Sequence, residues 1–231
     1  MPASDVTVVV VHGAWADGSS WAKVIVPLAA EGFKVLAAPL PLASFADDVA
    51  ALDRTLARAT RAVVLAGHAY AGAVIGATRS EKVKALVYVA ALAPDVGETV
   101  ANVFYRAAPH PKAPKLAPDS HGLIWLPEAA FAEAFAPNAS ATEQAVLAAV
   151  QRPISPACIS VAMERPLWRD RPTWYLLAEQ DRMIVHETQS FMAGRMKAQL
   201  RSHPVDHTPL VTAPDAVISI IREAVEAATN R

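Results

Sequence analysis

The run Leu65 to Ile75, LAGHAYAGAVI, decides how the rest of this chain is read. A β-branched apolar segment, AVVLAGH over residues 62–68, leads into it, and a helix-forming segment follows to about residue 79. A strand, a tight turn and a helix in that order can raise a nucleophile above the end of a sheet, in the pattern G-x-S-x-G. Here the turn reads Gly67-His68-Ala69-Tyr70-Ala71-Gly72. Gly67 and Ala71 are small, as a tight turn requires, and Gly72 adds room beside the strand. The position that calls for serine is Ala69. Taken alone, the run also fits an ordinary strand-to-helix turn. It is not a phosphate loop, because it lacks the lysine and the G-x-G spacing.

Strand-like and amphipathic segments alternate on either side of this turn. Residues 6–12 (VTVVVVH) form a continuous apolar run, as in a strand covered on both faces. A helix is expected from about residue 19 or 20 to 31, ending at Gly32, and a second strand over 34–40. Ser44 can cap a helix through about residue 58, with Phe45, Val49, Leu52 and Leu56 on one face. A further strand is expected over 83–92. Later come a strand over 173–178, a helix over 187–196, a weak strand over 200–205 and an amphipathic helix over 214–228. This alternation predicts a mostly parallel sheet with helices on both faces, a three-layer αβα sandwich. Residues 93–171 interrupt it and hold ten of the 18 prolines. Helical patterns over 128–135, 142–151 and 156–164 make this stretch an inserted helical cap rather than a separate domain. The Ala/Pro-rich stretch 107–118 is expected to be a mobile surface loop.

Composition bounds the function. At 53% hydrophobic residues, the 231-residue chain can bury a large core. A net charge of -1 leaves no basic stripe for nucleic acid. The one cysteine, Cys158, excludes a disulfide framework within the chain. The start, MPASDV, has no positive n-region or cleavage pattern, and no apolar run is long enough to span a membrane. The expectation is a cytoplasmic globular protein. The seven histidines show no ligand-spaced pairs, so no metal site and no cofactor is expected.

The chain resembles the α/β-hydrolase superfamily, most closely a small bacterial branch akin to plant methylesterases and hydroxynitrile lyases. Five landmarks in order carry the resemblance: VVVVHGAWADGSSW (Val8 to Trp21), LAGHAYAGAVI, LVYVAALAPDVGE (Leu86 to Glu98), WYLLAEQDRMI (Trp174 to Ile184) and DHTPLVTAP (Asp206 to Pro214). Members of that branch usually read G-H-S-Y-G-G at the turn. This chain departs at Ala69 and, more mildly, at Ala71. The resemblance implies that the chain opens at the strand that is usually third. It implies a catalytic set of position 69, His207 as general base and Asp181 as the acid that fixes its tautomer. His203 and Asp95 are the weaker alternatives. The N–H groups of Ala14 and Tyr70 would hold the oxyanion. His12 and His68 are expected to be structural. Trp15, Phe104, Trp125, Leu126 and Phe131 are candidates for an apolar acyl or aromatic pocket, against the plainer alternative of cap packing.

The implied function is a carboxylic ester or lactone hydrolase whose nucleophile is replaced by Ala69. The implied partner is a small apolar or aromatic ester, with no nucleic acid, no membrane and a homodimer left open. Two other readings stay open. A non-catalytic small-ligand receptor would need no serine. A hydroxynitrile-lyase-like enzyme would use the triad as acid–base machinery with a lysine in the cap, but Lys112 and Lys115 sit in the proline-rich loop, a poor place for a buried cation. Keeping a strained turn beside an intact histidine and aspartate favours an inactivated hydrolase.

Overall fold

A computed structural model describes residues 6–229. The MPASDV start lies almost wholly outside them. Six strands form one sheet: β1 (Val6–Val11), β2 (Lys34–Ala38), β3 (Ala62–His68), β4 (Val83–Val89), β5 (Thr173–Ala178) and β6 (Gln199–His203). Their order is β2-β1-β3-β4-β5-β6, and every pairing is parallel. Every residue of β1 and β5 is buried, which is why both read as unbroken apolar runs rather than alternating ones.

The main helices are α1 (Ala22–Ala30), α2 (Phe45–Ala57), α3 (Ala71–Ala77), α4 (Val100–Phe104), α5 (Glu128–Ala130), α6 (Ala141–Val150), α7 (His186–Arg195), α8 (Pro209–Thr212) and α9 (Pro214–Thr229). Ser44 caps α2 by accepting from Asp47 N, as its sequence indicated. Helix α9 buries Val217, Ile218, Ile220, Ile221, Ala224 and Val225 along β3, β4 and β5, with α1 beside it. Helices α2 and α3 pack together against the sheet. None of the helices is long and apolar enough to cross a membrane among the described residues.

The stretch between β4 and β5 departs from expectation in two places. Over 156–164 only one short turn forms, Pro156–Cys158. The backbone groups that would have continued a helix bond elsewhere: Ala101 N donates to Ile159 O, Gly97 N to Met163 O, and Met163 N to Glu98 O. Tertiary pairing with residues 97–101 overrides local helical pattern. Conversely, α4 forms where no helix was expected. Thr99 and Asn102 close a reciprocal capping box at its start. Helix α5 continues into a wider π-helical turn, Phe131–Phe135, inside the expected 128–135 segment.

The strand order determines where a site can form. From β1 the chain crosses outward to β2, then returns to place β3 on the other side of β1. The carboxyl ends of β1 and β3 are thus a topological switch point, where loops diverge and leave a crevice.

Candidate active site

Ala69 follows β3 at this crevice with φ 50°, a left-handed conformation that a non-glycine residue adopts at a cost of roughly 1–2 kcal/mol. The turn is held from both sides. Ala69 N donates to Val89 O at 3.2 Å, and Ala69 O accepts from Leu92 N at 2.9 Å and Gly72 N at 3.1 Å. The tightest constraint falls on Gly72, where a Cβ would lie 2.4 Å from Leu92 O. At Gly67 a Cβ would meet Ala71 O at 3.0 Å. The loop after β1 passes equally close: a Cβ on Gly13 would sit 3.0 Å from Ala69 Cβ and from His68 O. Glycine at 13 therefore lets the Ala14 backbone reach the turn.

His207 lies in the loop between β6 and α8, 2% exposed. Its Nδ1 donates to Asp181 Oδ2 at 2.8 Å. Asp181, 4% exposed, also accepts from Met183 N (2.7 Å) and Ile184 N (2.8 Å) on Oδ1 and from Gln189 Nε2 (3.0 Å) on Oδ2. With the proton on Nδ1, the imidazole presents a bare Nε2. Asp206 braces the loop from behind, accepting from Asn138 N, Thr208 N and Thr212 Oγ1.

The alternatives lie elsewhere. His203 ends β6. Asp95 is tied to Arg169 by bonds of 2.8 and 2.7 Å. Burial opposes its ionisation, but the guanidinium and Val96 N–H outweigh that and hold the carboxyl below its usual range.

His12 and His68 brace the site. His12 Nδ1 bonds Gly13 O at 2.9 Å and its Nε2 accepts from Leu40 N at 3.0 Å; burial pushes its pKa down to about 4. His68 Nε2 donates to the backbone oxygen of His207 at 2.7 Å, with the two rings 4.8 Å apart. Burial, then the neighbouring His207, keeps His68 neutral far below its usual pKa. Phe135 packs on His207 at 5.3 Å and edge-on to Trp15 and His68.

A cavity opens here beside Ala69 and His207. Ala14, Ala69, Tyr70 and His207 line it, and so do Trp15 and Phe104. Its other walls are mostly aliphatic, including Leu92, Val100, Leu116, Ile124, Ile154, Met183 and Ile184. Among the described residues, neither Ala14 N nor Tyr70 N donates to a protein acceptor. Trp125, Leu126 and Phe131 do not reach the cavity. Trp125 is 45% exposed and bonds Asp119, while Leu126 and Phe131 are core; Phe131 supports Phe135 at 5.3 Å. For Leu126 and Phe131 the packing alternative describes the placement, and Trp125 fits neither expectation.

Sequence reasoning overlooked Gln189, Asp206 and Phe135. Only Asp206 carried a signal, as the neighbour of His207. Residues between β4 and β5 that line the cavity, such as Ile154 and Ile159, carry no polar signature at all.

The fold is shared with solved hydrolases. A pyrethroid hydrolase from Sphingobium faniae JZ-2 superposes with a TM-score of 0.83 at 20% identity, covering 98% of this chain and 100% of that one. A polyneuridine aldehyde esterase variant gives 0.81 at 19%, covering 94% and 98%. A methylesterase from Arabidopsis gives 0.77 at 17%, covering 96% and 99%. No curated protein sequence matches the chain. The family model described as the alpha/beta hydrolase family matches residues 8–220. With the strand order, the switch-point crevice and that match in agreement, this chain is a member of the alpha/beta hydrolase family.

Proposed function

We propose that the crevice is a carboxylic-ester hydrolase site complete except for its nucleophilic oxygen. The observation that carries this is the buried His207–Asp181 pair, in which His207 lines the same cavity as Ala69. In a serine-bearing form, the hydroxyl at position 69 would give its proton to His207 Nε2 while attacking the ester carbonyl. Asp181 would hold the imidazole and offset the charge of the imidazolium. The Ala14 and Tyr70 N–H groups, free of protein acceptors, would receive the developing oxyanion. The uncharged walls suit an apolar ester, and the names of the structural neighbours, an esterase, a methylesterase and a pyrethroid hydrolase, support ester chemistry. Lys112 and Lys115 are exposed and outside the cavity lining, so nothing there supports the lyase alternative.

The test compares initial rates on p-nitrophenyl butyrate for the native chain and Ala69→Ser. Loss of the nucleophile in a serine hydrolase costs roughly 10⁶-fold. The variant is expected to gain several orders of magnitude, and adding His207→Ala should remove the gain. A folded Ala69→Ser protein with the native rate would refute the assignment.

A further inference from the structure

Three residues that line one cavity each carry a group without a protein partner: His207 its Nε2, and Ala14 and Tyr70 their N–H groups. In a serine hydrolase the hydroxyl stands between base and carbonyl and occupies the base. The methyl of Ala69 offers His207 no hydrogen bond. What remains is a base on a buried carboxylate, two donors for a developing oxyanion, and apolar walls. We propose that the chain as it stands is a general base for carbon acids, removing a proton from the carbon next to the carbonyl of an uncharged, apolar ketone or ester.

The step balances without a co-reactant. The substrate carbonyl oxygen sits against the Ala14 and Tyr70 N–H groups. The C–H bond breaks, its proton goes to His207 Nε2, and its electron pair forms the carbon–carbon double bond as the carbonyl π pair moves onto oxygen. Asp181 Oδ2 lies 2.8 Å from Nδ1 and balances the imidazolium. Returning a proton from His207 to the same carbon regenerates the substrate, and in D₂O the imidazolium N–H first trades its proton with solvent, so that the carbon takes up deuterium. Nothing is oxidised or reduced.

This inference rests on the assignment of His207, Ala14 and Tyr70 to one site, and the experiment separates the two. Phenylacetone and methyl phenylacetate are incubated with the full chain in D₂O, and loss of the α-proton signal is followed by proton NMR. The native chain is expected to exchange the α-protons of at least one probe about 10²-fold or more faster than His207→Ala, the scale of general-base assistance. The His207→Ala protein keeps every surface carboxylate and imidazole, so it corrects for nonspecific exchange; circular dichroism confirms that it is folded. Ala69→Ser is assayed in parallel for p-nitrophenyl ester hydrolysis. No His207-dependent exchange of either probe overturns the carbon-acid activity. If ester hydrolysis still appears in Ala69→Ser, the hydrolase assignment survives that result. Exchange without ester hydrolysis would support the carbon-acid activity and sink the hydrolase assignment. Absence of both would sink the two together.

Discussion

Asp48 is fully buried on α2, and a reading of the sequence passes over it as one of two acidic residues in a helix's first turn. Its carboxylate accepts Leu42 N on Oδ1 and the Tyr70 hydroxyl on Oδ2, both at 2.7 Å. It thereby ties the β2–α2 loop to the residue that follows Ala69. Burial raises its pKa, against the hydrogen bonds from Tyr70 and Leu42, so an uncharged group suits the position. Asp48→Asn, which can accept from Leu42 N and donate to the Tyr70 oxygen, should leave stability near native. Asp48→Ala strands two buried polar groups and should cost about 1–3 kcal/mol in urea unfolding. Equal stability of the two variants would contradict this role.

His12 makes a second residue-level prediction. Its folded pKa is about 4 against an ordinary 6.5, so between those values the unfolded chain binds the extra proton. Stability therefore falls as pH drops from about 6.5 to 4, and His68 acts in the same direction. His12 alone should cost roughly 2 kcal/mol between pH 7 and pH 4.5. Urea midpoints for the native chain and His12→Asn at the two pH values check it. The variant should lose less on acidification, and parallel losses would show that His12 is not the titrating group.

At the scale of elements, strands and long helices were legible because their burial is periodic or complete. Segment 62–68 matches β3, and 173–178 matches β5, residue for residue. Elements whose hydrogen bonds are decided at long range were not. The 156–164 segment gives its bonds to residues 97–101, and α4 depends on a capping box between Thr99 and Asn102. The turn at Ala69 is tight, as its small residues indicate, but the tightest contact falls at Gly72. Gly72 was expected merely to add room, yet its α-carbon faces Leu92 O with no space for a methyl. Gly72→Ala should destabilise the protein by about 1–3 kcal/mol, the usual scale of overpacking. A thermal midpoint unchanged from native would show that the contact gives way cheaply. The 107–118 stretch is mostly exposed, but Leu116 lines the cavity. Removing it should leave the sheet folded and open the cavity on one side, seen as weaker binding of apolar probes at an unchanged unfolding midpoint.

For the whole molecule, the chain order of position 69, Asp181 and His207 was readable because the fold delivers these residues from three strand ends to one crevice. The switch point between β1 and β3 explains why Ala14 joins them from far away in sequence. The cavity wall was less legible. Trp15 and Phe104 reach it, whereas Trp125, Leu126 and Phe131 do not, because a large apolar residue in a connecting segment carries no sign of which side it faces.

On the proposed function, one oxygen at position 69 separates this crevice from a working hydrolase site. The most direct test is covalent labelling of Ala69→Ser by an organophosphate, read by intact-mass and peptide mass spectrometry. A single adduct is expected, located at position 69, absent from the native chain and lost when His207→Ala is added. A folded Ala69→Ser protein that takes up no label at position 69 would contradict it.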